Sequence, residues 1–182
     1  MTPILYVGCG SYTVSGSIGG VPTSYASLIE HATLHDDLGI RDSDGTALVI
    51  SVQLGSGAWP ELLIAQRFTP GPEAGFQPGV LLVPETNLLF IGAGERLLAY
   101  DLRGPRRLWE DTADTGFWRW QRHGDVVVMS AELELAAWNL EGNKLWSTFV
   151  EPSWDYEVLG DRVALDVMGE KSSFDLKTGP IR

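Results

Sequence analysis

Residues 117 to 150 read FWRWQRHGDVVVMSAELELAAWNLEGNKLWSTFV. Four short apolar runs, rich in β-branched and aromatic residues, are cut by Gly, Asn and Glu, and that pattern predicts strands rather than helices. The runs are Phe117 to Arg122, Asp125 to Ser130, Leu133 to Asn139 and Lys144 to Val150. His123-Gly124, Ser130-Ala131-Glu132 and Leu140-Glu141-Gly142-Asn143 supply short turns that suit antiparallel hairpins. Val126-Val127-Val128-Met129 is continuously apolar, as expected of a strand covered on both faces, whereas Leu133-Glu134-Leu135 alternates.

The same unit recurs on both sides of this stretch. Leu97-Leu98-Ala99-Tyr100-Asp101-Leu102 aligns with Leu135-Ala136-Ala137-Trp138-Asn139-Leu140 and with Ser172-Ser173-Phe174-Asp175-Leu176, so an aromatic, Asp/Asn, Leu triplet returns every 36 to 38 residues. Leu108-Trp109 matches Leu145-Trp146, Gly124-Asp125 matches Gly160-Asp161, and Trp118-x-Trp120 matches Trp154-x-Tyr156. Agreement of independent landmarks at one step is the signature of a repeat architecture. The preceding unit parses as Val80 to Val83, Leu88 to Ile91, Arg96 to Asp101 and Arg107 to Glu110. The following one has three strands, Trp154 to Val158, Arg162 to Val167 and Lys171 to Asp175; pairing with an N-terminal strand, Ile4 to Val7, is expected to complete it.

These units resemble the four-stranded blades of bacterial β-propellers, of the quinoprotein-like and WD-like kind, over residues 79 to 176. The likeness rests on Ala99-Tyr100-Asp101-Leu102 with Leu108-Trp109, and on Ala137-Trp138-Asn139-Leu140 with Gly142-Asn143-Lys144-Leu145-Trp146. It implies a mainly β fold of repeated four-stranded antiparallel sheets, in a small or incomplete propeller-like arrangement, and a habit of binding. Only three units are visible where propellers have four to eight blades. No residue set here matches a quinone site, so no cofactor is expected.

The first 78 residues are less regular. Ala47 to Gln53 and Leu62 to Phe68 read as strands and Tyr25 to His35 as a helix. Residues 69 to 79, dense in Pro and Gly, read as a loop. With 182 residues the chain is expected to form a single domain, with the N-terminal part at 1–78 and the repeats at 79–182.

Composition narrows the function classes. A formal charge of −11 disfavours nucleic acid, whose phosphates demand clustered Lys and Arg, and points to a basic protein as partner. The lone Cys9 excludes a disulfide framework within the chain, fits a reducing compartment and is read as a buried thiol. Gly8-Cys9-Gly10 interrupts the N-terminal apolar run too early for a membrane span or signal core, so a cytoplasmic protein is expected.

Residue chemistry offers three function readings. Trp118, Trp120, Trp154 and Tyr156 occupy equivalent places in neighbouring units, each pair two apart on one face, with Glu151 and Asp155 beside them. Such clusters serve either as packing or as protein-recognition anchors. On this basis the first reading is a non-enzymatic binding protein that recognises another protein, in its narrower form an antidote or immunity partner of a basic protein. The second is a metal site or metal-dependent enzyme using His31, His35 and Asp36, because two histidines four apart share a helix face. The third is a β-repeat module that assembles into homo-oligomers through exposed sheet edges. Trp109, Trp138 and Trp146 read as packing between sheets, Glu132 and Glu134, on one strand face, as a solvated outer edge rather than a working carboxylate pair, Glu110, Asp111 and Asp114 as an acidic loop, and Asp42-Ser43-Asp44-Gly45 as a turn. No nucleophile motif surrounds any of the three histidines.

Overall fold

The computed structural model describes residues 4–181. Strands β1 (Ile4–Cys9), β2 (Tyr12–Ile18), β3 (Leu34–Leu38), β4 (Thr46–Leu54) and β5 (Leu62–Phe68) form a first sheet in the order β1-β2-β4-β5-β3, with helix α1 (Tyr25–His31) beside it. Three sheets follow in strict chain order. They are β6 (Gly79–Val83), β7 (Leu88–Ala93), β8 (Arg96–Asp101) and β9 (Arg106–Thr112); then β10 (Phe117–His123), β11 (Val126–Ala131), β12 (Glu134–Asn139) and β13 (Lys144–Phe149); and last β14 (Trp154–Leu159), β15 (Arg162–Val167) and β16 (Glu170–Asp175). Every neighbouring pair in these three sheets is antiparallel. Successive meanders packed face to face give an incomplete propeller-like fold, as the repeats implied.

Each seam between sheets is filled by alternate residues of the facing strands. Tyr12, Val14, Ile50, Val52 and Ile64 of the first sheet meet Leu89, Ile91, Leu98 and Tyr100 of the second. Phe90, Leu97 and Ala99 on the second sheet's other face meet Phe117, Trp120, Val127, Met129 and Trp138. Val126, Val128, Ala137 and Trp146 then meet Val163, Leu165 and Phe174. Strands β7 and β11 are buried along their whole length because both faces lie in seams. The repeated tryptophans make these seams: Trp109 stacks on Trp138 at 5.6 Å, and Trp146 meets Phe174 edge-on at 5.2 Å. Their indole N–H groups donate to Gly142 and Leu176 carbonyls in the next sheet, at 2.7 and 2.8 Å, which satisfies the one polar atom each buries.

The first sheet departs from expectation in two places. Strand β1 pairs with β2 rather than with the last sheet. The two are joined through Gly10, at φ +61°, so a local hairpin forms at far lower entropic cost than a contact across the whole chain. The helix ends at His31, with Ala32 already extended. From Leu34 onward the chain adds a parallel strand to the edge of β5, and the pairing of Leu34 with Leu62 and of His35 with Leu63 overrides the helical spacing. On the sheet's outer face, Tyr25, Leu28, Ile29 and Ala32 pack over Ile40, Ala47, Val49, Leu63 and Ala65. The helix thus covers the face on which a preceding blade would otherwise lie.

Candidate functional site

The aromatic pairs that look equivalent in sequence separate in space. A β-bulge between Phe117 and Arg119 shifts the register of β10, so Trp118 and Trp120 fall on opposite sides of the sheet instead of sharing a face. Trp120, 8% exposed, turns into the seam between the second and third sheets against Phe90, Phe117 and Trp138. Trp118, 40% exposed, turns towards the last sheet and stacks on Trp154 at 5.2 Å and 14°. Trp154 and Tyr156 do share a face, as strand spacing requires, and stack at 6.2 Å. The result is a three-ring ladder, Trp118, Trp154, Tyr156, across the seam between the third and last sheets.

Polar contacts fix the ladder. Trp154 Nε1–H donates to the Glu132 carbonyl at 2.9 Å and the Tyr156 hydroxyl to Gln121 Oε1 at 2.6 Å. Arg119 lies over the Tyr156 ring, 5.8 Å from its centroid. Burial pushes the Tyr156 hydroxyl up to about 12, so it remains a donor at neutral pH. Burial, with Arg119 nearby, also lowers His123, leaving a neutral imidazole edge-on to Tyr156 at 6.5 Å. His123 Nε2 and Ser130 Oγ are buried without a hydrogen-bond partner among the described residues.

The opposite face of the last sheet is different in kind. Directly opposed residues share a face in an antiparallel sheet, so the register places Asp155, Asp166 and Lys171 in one row, Glu157, Ala164 and Ser173 in the next, and Leu159, Arg162 and Asp175 in the third. This face turns away from the third sheet. A cleft of about 680 Å³ at this sheet is lined by Asp155, Glu157, Ala164, Asp166 and Lys171 of this face, by Trp154, Tyr156, Leu165 and Ser172 of the other, and by the turn at Met168-Gly169. Met168 and Leu159 are the exposed apolar side chains there. Glu151 is exposed in the loop before β14, and Asp155 stands back to back with the ladder rather than beside it.

The metal reading is not supported. His31 ends α1, bonds through Nδ1 to the Ser27 carbonyl oxygen and stacks on Trp59 at 3.8 Å. His35 lies on β3 and bonds to the Tyr25 hydroxyl at 2.9 Å, while Asp36 accepts the Tyr100 hydroxyl at 2.8 Å and faces Arg107 at 3.5 Å. A helix-to-strand change between the two histidines has removed their common face. Among the described residues no group of three His, Cys, Asp or Glu is placed to hold a metal ion.

Smaller expectations also change. Glu110 and Asp111 are on β9 rather than in a loop, where Glu110 pairs with Arg96 at 3.0 Å and Asp111 with Lys144 at 2.9 Å. Cys9 is half-buried at the end of β1, not enclosed. Glu134 is not a freely solvated edge carboxylate: it is engaged by Lys144 and by the Asp114 N–H. One feature escaped the sequence altogether, the part-buried Tyr100–Asp36–Arg107 contact that ties β3 to the second sheet. Burial and the adjacent Asp36 carboxylate push the Tyr100 hydroxyl far upward.

No protein-family model matches the chain, and no curated protein matches it. Among solved structures it is similar to BamB from Moraxella catarrhalis, 14% identical, with a TM-score of 0.47 over 94% of this chain and 48% of that one. It is also similar to Kluyveromyces lactis Hsv2, 10% identical, with a TM-score of 0.31 over 55% of this chain and 34% of that one. The chain therefore spans half or less of the length of these structures. No helix among the described residues is long and apolar enough to cross a membrane.

Proposed function

We propose that this chain is a non-enzymatic binding protein that recognises a basic partner protein through its last sheet. The observation that carries the reading is the outer face of β14–β16, where Asp155, Glu157 and Asp166 stand with Lys171 and Met168 along a cleft of about 680 Å³, and Arg162 and the exposed Leu159 lie on the same face. Carboxylates around apolar contact points suit a surface that attracts a cationic partner and then desolvates part of it. The net charge of −11 extends the same field over the molecule and favours fast, salt-sensitive association. Trp118 and Glu151, both exposed, widen the surface around the last sheet's inner edge. The narrower form of the reading is an antidote that occludes the working surface of a basic toxin.

Capture of host proteins on the immobilised chain, eluted by rising salt, tests this reading. A basic protein should be retained at low salt and released as screening increases, and Asp155→Lys with Asp166→Lys should abolish its retention. Retention unaffected by both salt and charge reversal would remove the acidic face from the account.

A further inference from the structure

Each of the three seams between sheets is tied at its rim by ion pairs. Asp36 meets Arg107 at 3.5 Å across the first, Glu85 meets Arg122 and Asp111 meets Lys144, both at 2.9 Å, across the second, and Asp125 meets Lys177 at 2.6 Å across the third. The third seam, between the sheet β10–β13 and the last sheet, also takes in a histidine. His123 ends β10 opposite Val126, a residue of that seam, and its ring stands edge-on to Tyr156 of β14 at 6.5 Å. Its Nε2 is buried and has no hydrogen-bond partner among the described residues.

We propose that His123 makes this one seam acid-labile: a proton added to its imidazole loosens the last sheet from the third and parts the ladder of Trp118, Trp154 and Tyr156, while the other two seams hold. A neutral imidazole tolerates the position, because with the hydrogen on Nδ1 the buried Nε2 carries only a lone pair. Protonation turns Nε2 into a charged donor with no acceptor in reach, and burial of such a group unpaired is costly. The surrounding groups give no relief. On β10, Arg119 makes no ion pair among the described residues and lies over the Tyr156 ring at 5.8 Å, so the ring beside the imidazole already carries one cation. Val126 on β11 and Asn139 opposite it on β12 are uncharged. On β14, Tyr156 and Val158 face the seam, whereas Asp155 and Glu157 lie on the opposite face. Asp125, in the turn after His123, is held by Lys177, and Glu85 is held by Arg122 on the other face of β10. Asp161, in the turn after β14, forms no side-chain bond with the imidazole among the described residues.

Burial, with Arg119 nearby, lowers His123 from its ordinary value. A group lowered on folding contributes stability that is fully present above the unfolded value, about 6.5 for histidine, and that is lost as pH falls through the folded value. Unperturbed carboxylates, at about 3.9 and 4.3, titrate below the start of that loss. The other two histidines, His31 on α1 and His35 on β3, belong to the first sheet's side of the molecule. A change confined to β14–β16 on mild acidification therefore reports His123. The device is independent of the partner's identity, and it acts on the sheet read above as the recognition surface.

Amide hydrogen exchange of the whole chain at about pH 7 and about pH 5.5, corrected for the intrinsic effect of pH on exchange, is read together with an NMR titration of the imidazoles. Expected are a His123 midpoint below about 6.5 and, at the lower pH, exchange at β14–β16 accelerated about tenfold relative to β7. The acceleration should vanish in His123→Gln. It should shrink in Arg119→Gln, where removal of the neighbouring cation brings the imidazole closer to its ordinary value. The Arg119 variant, at an exposed position, keeps the test decisive if His123→Gln does not fold. No acceleration, acceleration shared equally by all the sheets, acceleration retained in His123→Gln or undiminished in Arg119→Gln, or a His123 midpoint at or above about 6.5 overturns the proposal.

Discussion

The two outer faces of this row of sheets are finished by opposite means. At one end Leu28 and Ile29 of α1 cover an apolar sheet face formed by Ala47, Val49, Leu63 and Ala65. At the other the sheet face is left uncovered and carries Asp155, Glu157, Arg162, Asp166 and Lys171. Faces of stacked repeats are masked or made polar where no further sheet packs on them, and among the described residues one outer face shows each solution. The comparison teaches that the polar end is the available one. A helix that replaces a neighbouring sheet contributes stability, whereas a polar face contributes little and is free to be shaped for recognition. It also counts against assembly by face-to-face stacking of copies, since neither outer face is an exposed apolar sheet.

Substitutions can break this contrast at several strengths. The reference point lies between the ends: Trp138→Ala empties the seam where Trp109, Trp120 and Lys144 converge on one indole, and should cost about 3–5 kcal/mol in urea unfolding. At the covered end, Leu28→Asp puts a carboxylate against the apolar face and should cost about 1–3 kcal/mol by the same measurement. At the polar end, Leu159→Asp should change stability by no more than about 0.5 kcal/mol. Equal losses at Leu28 and Leu159 would mean that the two ends are not finished differently.

A pH titration sharpens the picture within the row. Desolvation works against the Asp101 carboxylate, but the Arg103 N–H and the guanidinium groups of Arg103 and Arg106 outweigh it and hold the carboxyl below its ordinary range. A depressed folded-state pKa gives stability that is fully present above the unfolded value, about 3.9, and is lost as pH falls through the folded value. Asp101→Asn should therefore lower stability at pH 7 and make its decline below about pH 4 shallower. Parallel acid-unfolding curves for both proteins would assign the acid sensitivity to other groups.

The repeated half of the fold was legible in the sequence because seam packing there follows strand periodicity. Val126 to Met129 and the Leu-Trp ends report burial directly, and Arg96–Asp101 and Arg162–Val167 have the expected bounds. The first sheet was harder because its determinants are non-local. Nothing in Leu34-His35-Asp36 announces a parallel partner 28 residues away in β5. The placement of the candidate residues was legible in part. Aromatic spacing located the Trp154 and Tyr156 pair correctly, but one bulged residue at Trp118 divided the other pair, and such a shift leaves no periodic signal. Strand parity on β14 sets Asp155 on the face opposite Trp154 and Tyr156, which the expectation of Asp155 beside the aromatics overlooked. The acidic cleft needed the registers of β15 and β16 as well, because Asp166 joins Asp155 only across strands.

Native mass spectrometry of the protein purified gently from its own host, wild type beside Asp155→Lys/Asp166→Lys, tests the central claim most directly. The account predicts a complex with a basic protein for the wild type and a bare monomer for the reversed variant. A wild type found only bare or only self-associated, or a complex that survives the reversal, would contradict recognition through the acidic face of the last sheet.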